Sequence, residues 1–254
     1  MIEDLLATFG PLMGLAIGGL AILHRLEAES AGAAEYDEVR DGRMPPLRRR
    51  LYWYLIGFGL IAGVLILDPE ADTTLHLQLG DRLPAILFGI VYALIGVGQA
   101  VAFAMWRYGR LRFPPAESYP GALINDIATA FIDEAVFRGI VLGYLVLVTD
   151  AIGFSPWIAI LAATLVYVLA TRVAARGRPP YMLFFTFGIG MIGGYLTLVT
   201  GGIGAAFLGH AVARLSVFLV TGHAGQVTWR GTEEEEIERV RRPPEGWRVV
   251  KDRS

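Results

Sequence analysis

The chain has no cysteine, which excludes disulfides, thiolate metal sites and a cysteine nucleophile. Charge is scarce as well. Asp, Glu, Lys and Arg make up 18% of the 254 residues against 54% hydrophobic, too little to clothe an ordinary soluble domain. The net charge is -2 and the basic residues form no continuous stripe, so the electrostatic footprint of a nucleic-acid-binding protein is missing. Of four histidines, His24 falls at a span end, His76 in a loop and His223 in the tail, and these three are given no role; His210 alone lies within an apolar run. A zinc site would lack the two or three nitrogen ligands such sites use, and no metal or other cofactor is expected. The N-terminus carries Glu3 and Asp4 where a signal peptide would carry Lys or Arg, so Met1 to Leu23 reads as a retained first span. No repeated half and no pair of broken helices is visible, which disfavours a transporter.

What is present is a series of apolar blocks, each near the roughly 20 residues that a helix needs to cross a ~30 Å hydrocarbon core. The candidate spans are Leu5 to Leu23, Leu51 to Leu67, Leu83 to Trp106, Gly121 to Val148, Phe154 to Arg172, Pro180 to Val199 and Gly202 to Val220. The expected fold class is therefore all-α, a polytopic transmembrane bundle of about seven spans. Arg25, Arg40, Arg43 and Arg48 to Arg50 fall between the first two spans. Arg107, Arg110 and Arg112 follow the third, Arg172, Arg176 and Arg178 the fifth, and Arg239, Arg241 and Arg242 lie in the tail. All lie on one side if the N-terminus is outside and the C-terminus cytoplasmic, the arrangement the positive-inside rule favours. Trp53, Trp106, Trp157, Tyr52 and Tyr54 stand at span ends and read as interfacial anchors. The tail from His223, with its run Glu233 to Glu236, reads as a solvated appendage.

The fourth span carries Asp126, Asp133, Glu134 and Arg138. Insertion scales charge about 2.5 to 3.5 kcal/mol for such a residue at a helix centre, so these four require partners or a wet cavity and should face the bundle interior. Glu134 and Arg138, four residues apart, can pair along one face. His210 and Arg214 share a face of the seventh span, and counting ~1.5 Å per residue from opposite membrane sides brings Glu134 and His210 to similar depth. Arg214, nearer the cytoplasm, reaches toward Asp133 or Asp126. Asp126 is expected to be wet near the cytoplasmic mouth, and Thr171 to cap or back-bond its own helix.

The stretch DEAVFRG, Asp133 to Gly139, resembles the EExxFRG signature of the CAAX-protease and bacteriocin-processing (CPBP, or Abi) family of intramembrane proteases. That family carries a later FxxxH and a final HxxxN or HxxxD. Tyr167 to Thr171 stand where FxxxH belongs, and His210 to Arg214 where the last motif belongs. Three positions depart from the pattern: Asp133 for the first glutamate, Thr171 for the second-motif histidine and Arg214 for the final Asn or Asp. The resemblance implies a three-span N-terminal region with a basic cytoplasmic loop (1–120), a CPBP-like four-span core (121–222) and a charged cytoplasmic tail (223–254). It also implies an integral protein of a prokaryotic cell membrane. As function it implies an endopeptidase in which a carboxylate-activated water cleaves a membrane-associated, hydrophobic or prenylated peptide, with Glu134, Asp133, His210 and Arg138 as the catalytic candidates. The alternative is an inactive relative that binds a hydrophobic peptide or a partner helix in the same cavity.

Overall fold

Inside a bilayer every backbone N–H and C=O must be satisfied within the protein, and a helix does this within its own segment. Each expected span is accordingly a helix. The computed structural model describes residues 2–68, 70–174, 180–225, 235, 237 and 238. In chain order it places α1 (Ile2–Gly32), α2 (Tyr36–Arg40), α3 (Leu47–Leu67), α4 (Ala71–Thr74), α5 (Arg82–Tyr108), α6 (Tyr119–Asp133), a π-helical segment (Glu134–Val141), α7 (Leu142–Ala151), α8 (Pro156–Ala174), α9 (Pro180–Thr200) and α10 (Gly204–Thr221). No strand occurs among the described residues beyond one isolated bridge, Ala34 with Ala224. Among those residues four helices are long and apolar enough to cross a membrane, Leu47–Leu67, Arg82–Tyr108, Leu183–Thr200 and Gly204–Thr221, and Pro156–Arg172 is a shorter apolar helix. The chain is an all-helical integral membrane protein.

α6, the π segment and α7 run on without a break and form the central rod. Pro120 opens it, at a position where its missing N–H leaves no bond unmade. The π segment is buried from Glu134 to Ile140, and Ala21, Tyr54, Ile61, Ile132, Val136, Phe137, Tyr167 and Ile203 form the largest core cluster there. α1 pairs with α3, α5 with α10 and α8 with α9, while α1, α8, α9 and α10 each also touch the central rod.

Both ends of the bundle are tied. At one end the loop after α4 lies on the α9–α10 turn. Ile203 N–H donates to the carbonyls of His76 and Gln78, Asp81 N–H to that of Thr200, and Gln78 Nε2 to that of Gly201 at 2.9 Å. At the other end Arg112 is sandwiched between the rings of Tyr36 (3.8 Å) and Tyr108 (4.5 Å), and its N–H donates to the Val220 carbonyl.

Several expectations need correction. α1 does not stop at Leu23: His24 to Ala31 continue it to Gly32, since Leu26, Glu27 and Ala28 are good helix formers. Arg25 is therefore no loop residue but a buried one. Tyr54 is no interfacial anchor, because its face of α3 turns inward. Trp106 and Trp157 are exposed as anchors require, and Trp157 stacks on Tyr195 at 5.5 Å. His24 donates from Nε2 to the Trp53 carbonyl at 2.6 Å. His223 and Ala224 are buried, with His223 hydrogen-bonded to the Tyr108 hydroxyl at 3.1 Å, and Ile237 packs with Phe103 and Tyr108. The polar tail thus begins folded onto the bundle end. Arg176, Arg178, Arg239, Arg241 and Arg242 lie outside the described residues.

Candidate active site

The central rod changes pitch where its charges are densest. Leu142 N–H donates to the Phe137 carbonyl, five residues back, the pattern of a π-helix, a rare form found frequently at functional sites. Through this wider turn Glu134 and Arg138 still meet on one face, with Arg138 Nε 3.4 Å from Glu134 Oε2. His210 arrives from α10 and places Nδ1 2.6 Å from Glu134 Oε1. All three side chains are at most 4% exposed. Tyr167 closes the group from α8. Its ring lies under the Arg138 guanidinium at 4.0 Å and meets His210 edge-on at 6.4 Å.

α9 supplies a wall without side chains. A Cβ on Gly193 would stand 3.3 Å from Arg138 Nε and 3.5 Å from Glu134 Oε2, so glycine lets the backbone press on the ion pair. Arg138 Nη1 and Nη2 and Glu134 Oε2 are buried without a protein hydrogen-bond partner. Buried polar atoms of this kind are uncommon in folded proteins. Here they are two guanidinium nitrogens and one carboxylate oxygen of a single ion pair.

The remaining buried carboxylates of the rod are paired as well. Asp133 takes two hydrogen bonds from the Arg25 guanidinium, one from Nε to Oδ1 and one from Nη2 to Oδ2 at 2.9 Å. Arg214 reaches Asp126 at 3.4 Å, which settles the choice of partner left open by the sequence. Asn125 donates to the same Asp126 oxygen at 3.0 Å and accepts from the Tyr54 hydroxyl. Asp126 is thus buried and partnered, where a wet position was expected, because Arg214, Asn125 and Tyr54 together seal that level of the bundle. Each buried carboxylate on the central rod has its own arginine: Asp126 with Arg214, Asp133 with Arg25, Glu134 with Arg138. The pairing removes most of the cost of charge in an apolar interior, which is repaid only when geometry and hydrogen bonds are good.

Thr171 is buried on α8, but its hydroxyl makes no hydrogen bond, so it does not back-bond its own helix as expected. Among the described residues no three His, Asp or Glu side chains converge on a point where they could hold a metal ion. The structure therefore brings together Glu134, Arg138, His210 and Tyr167, holds Asp133 apart on Arg25, and leaves Thr171 outside the hydrogen-bonded group. Sequence reasoning missed Arg25 and Tyr54. For Arg25 a signal existed: Gly14, Gly18, Ala21, Ala28 and Gly32 share its helical face, and an arginine amid such small residues has room to be buried.

Residues 115–216 match the family described as Type II CAAX prenyl endopeptidase Rce1-like. No curated protein and no solved structure matches the chain. The matched segment runs from the loop before α6 to Ser216 in α10. It contains Asp126, Asp133, Glu134, Arg138, Tyr167, Thr171, His210 and Arg214, and omits Arg25 and Tyr54.

Proposed function

From the Rce1-like segment and the geometry around Glu134, we propose that the chain is an intramembrane endopeptidase whose hydrolytic pair is Glu134 and His210. The observation that carries this reading is the 2.6 Å contact between Glu134 Oε1 and His210 Nδ1 in the buried centre of the bundle. An ionised carboxylate can only accept, so Nδ1 carries the imidazole proton and Nε2 is left basic. Glu134 then holds and charges-balances His210 as the carboxylate does in other carboxylate–histidine pairs. Nε2 removes a proton from water as the water oxygen attacks the scissile carbonyl carbon. The carbonyl oxygen gains negative charge and meets Arg138 Nη1 and Nη2, which have no protein acceptor, the kind of preplaced donor that stabilises an oxyanion. The proton on Nε2 passes to the leaving amine as the C–N bond breaks.

Asp133 takes no part in this chemistry, since Arg25 engages both its oxygens. The proposed topology has seven spans, α6 to α7 counting as one, with the N-terminus outside. Exposed Leu12, Leu15, Leu20 and Leu23 support a lipid-facing α1. Exposed Arg40, Arg43, Arg48, Arg49 and Arg110 support a cytoplasmic position for the loops that carry them. The substrate that the family description fits is a hydrophobic or prenylated peptide entering from the membrane.

A second reading, a peptide-binding relative without activity, is favoured by the same Arg25–Asp133 pair and by Thr171, which leave one imidazole at the site. The test is purified wild-type protein in vesicles with a C-terminally prenylated peptide, read by mass spectrometry for a shortened product. Cleavage that disappears in His210→Ala supports the hydrolase. Binding of the intact peptide with no cleavage over a wide pH range supports the second reading.

A further inference from the structure

Tyr92 lies on α5, outside the family-matched segment, and the packing of α5 on α10 brings it to the active-site wall. Gly89 and Gly96 stand three residues before and four after Tyr92, on one helix face. A Cβ on Gly89 would sit 2.9 Å from Leu208 Cδ2, and one on Gly96 2.6 Å from Ala213 Cβ, so both glycines let α5 come close against α10 on either side of the tyrosine. Between those contacts the ring of Tyr92 lies directly on Gly209, where any Cβ would run into it. Gly209 is the residue before His210. Small residues thus fix the register of α5 so that a large aromatic side chain fits beside the histidine, the close-packing use of glycine common between membrane helices.

Tyr92 is buried, and its hydroxyl is directed across to α9. There it donates to the Ile189 carbonyl at 3.4 Å, at the long limit for a hydrogen bond. Ile189 stands one helical turn, about 5.4 Å, before Gly193, the residue pressed against Glu134 Oε2 and Arg138 Nε. A neutral hydroxyl on a weak bond is well suited to turn toward a stronger acceptor. The acceptor the proposed reaction brings is the carbonyl oxygen of a peptide lying between Arg138 and His210.

We infer that Tyr92 is a hydrogen-bond donor to the carbonyl oxygen of the peptide bound at the Glu134–His210 pair, joining Arg138 from a helix the family-matched segment does not include. The role rests on the proposed peptide site, and it concerns the bound carbonyl whether or not hydrolysis follows.

The experiment uses the full chain in vesicles, a C-terminally prenylated peptide, and the same peptide with the scissile carbonyl replaced by a tetrahedral hydroxymethylene group. Tyr92→Phe keeps the ring on Gly209 and removes the donor alone. The expected result is a kcat lower by about 100-fold, KM within about twofold, an unchanged melting temperature, and about tenfold weaker binding of the hydroxymethylene peptide. If wild type cleaves, His210→Ala does not, and Tyr92→Phe matches wild type in kcat and in analogue binding, the donor role is wrong and the hydrolase stands. If wild type binds the analogue without cleaving and Tyr92→Phe binds it more weakly, the hydrolase falls and the donor role stands; equal binding by the two overturns the donor role as well. Neither cleavage nor binding by wild type overturns both.

Discussion

Replacing Arg25 with methionine leaves Asp133 as a fully buried carboxylate without its cation. The pair has side-chain exposures of 3% and 0% and two hydrogen bonds between the groups, so solvent screening is slight. Removing one partner of such a pair costs about 3 to 5 kcal/mol. At about 2 to 4 °C per kcal/mol for a protein of this size, the melting temperature should fall by roughly 6 to 20 °C in detergent micelles. Asp133→Leu should cost a similar amount by stranding the guanidinium. The double variant Arg25→Met with Asp133→Leu removes both charges and should regain most of the loss, because an apolar replacement of a buried pair is often neutral or stabilising. The coupling energy from the four proteins should thus be about 3 kcal/mol or more. Losses under about 1 kcal/mol for either single variant, or a double variant whose loss is the sum of the two, would show that Arg25 and Asp133 are not paired as described.

Three further outcomes are expected. Tyr54→Phe removes the donor to Asn125 inside the Asp126–Arg214 group and should cost about 1 to 3 kcal/mol in denaturant unfolding; a loss too small to measure would mean that Asn125 is satisfied otherwise. Gly209→Ala should destabilise by about 1 to 3 kcal/mol through overpacking, since its Cβ meets the Tyr92 ring, and Tyr92→Ala in the same chain should relieve the strain; no relief would argue against the α5–α10 register. Desolvation holds the His76 imidazole below its ordinary 6.5, against a smaller opposing effect of the Gly201 backbone. The fold therefore favours neutral His76, and its contribution is complete above pH ~6.5 and is lost as pH falls through the lower folded value. His76→Asn, which tolerates the positive φ of 52° there, should narrow the acid-side fall in melting temperature, and identical profiles for the two proteins would refute this.

The helices were legible because every apolar block from the second onward is nearly as long as the helical rod it forms, whereas α1 runs on to Gly32, past its block. The Glu134–Arg138 and Glu134–His210 contacts followed from helical spacing and from counting depth on two antiparallel spans. What sequence spacing could not supply was the partner of Asp133. Arg25 follows the first apolar block, where a basic residue ordinarily marks a loop, and only the extra turns of α1 carry it inward. Arg214 was already one of two readings for Asp126; what was hidden was the rest of that group, since Tyr54 and Asn125 are polar residues at helical positions whose facing depends on how α3 packs on α6. The π segment was invisible because nothing in the run Glu134 to Val141 marks a widened turn as against the α-helix on either side of it. Tyr92 sits in a span that reads as uniformly apolar, with Gly89 and Gly96 as the only marks of close approach.

The central claim is that Glu134 and His210 act as one unit on water. Peptide cleavage by wild type, Glu134→Gln, His210→Ala and the double variant tests it most directly. Residues that act as a unit are strongly non-additive, so each single variant should lose as much kcat as the double variant does. If the two losses multiply in the double variant, or if either single variant retains wild-type turnover, the pair is not the hydrolytic centre.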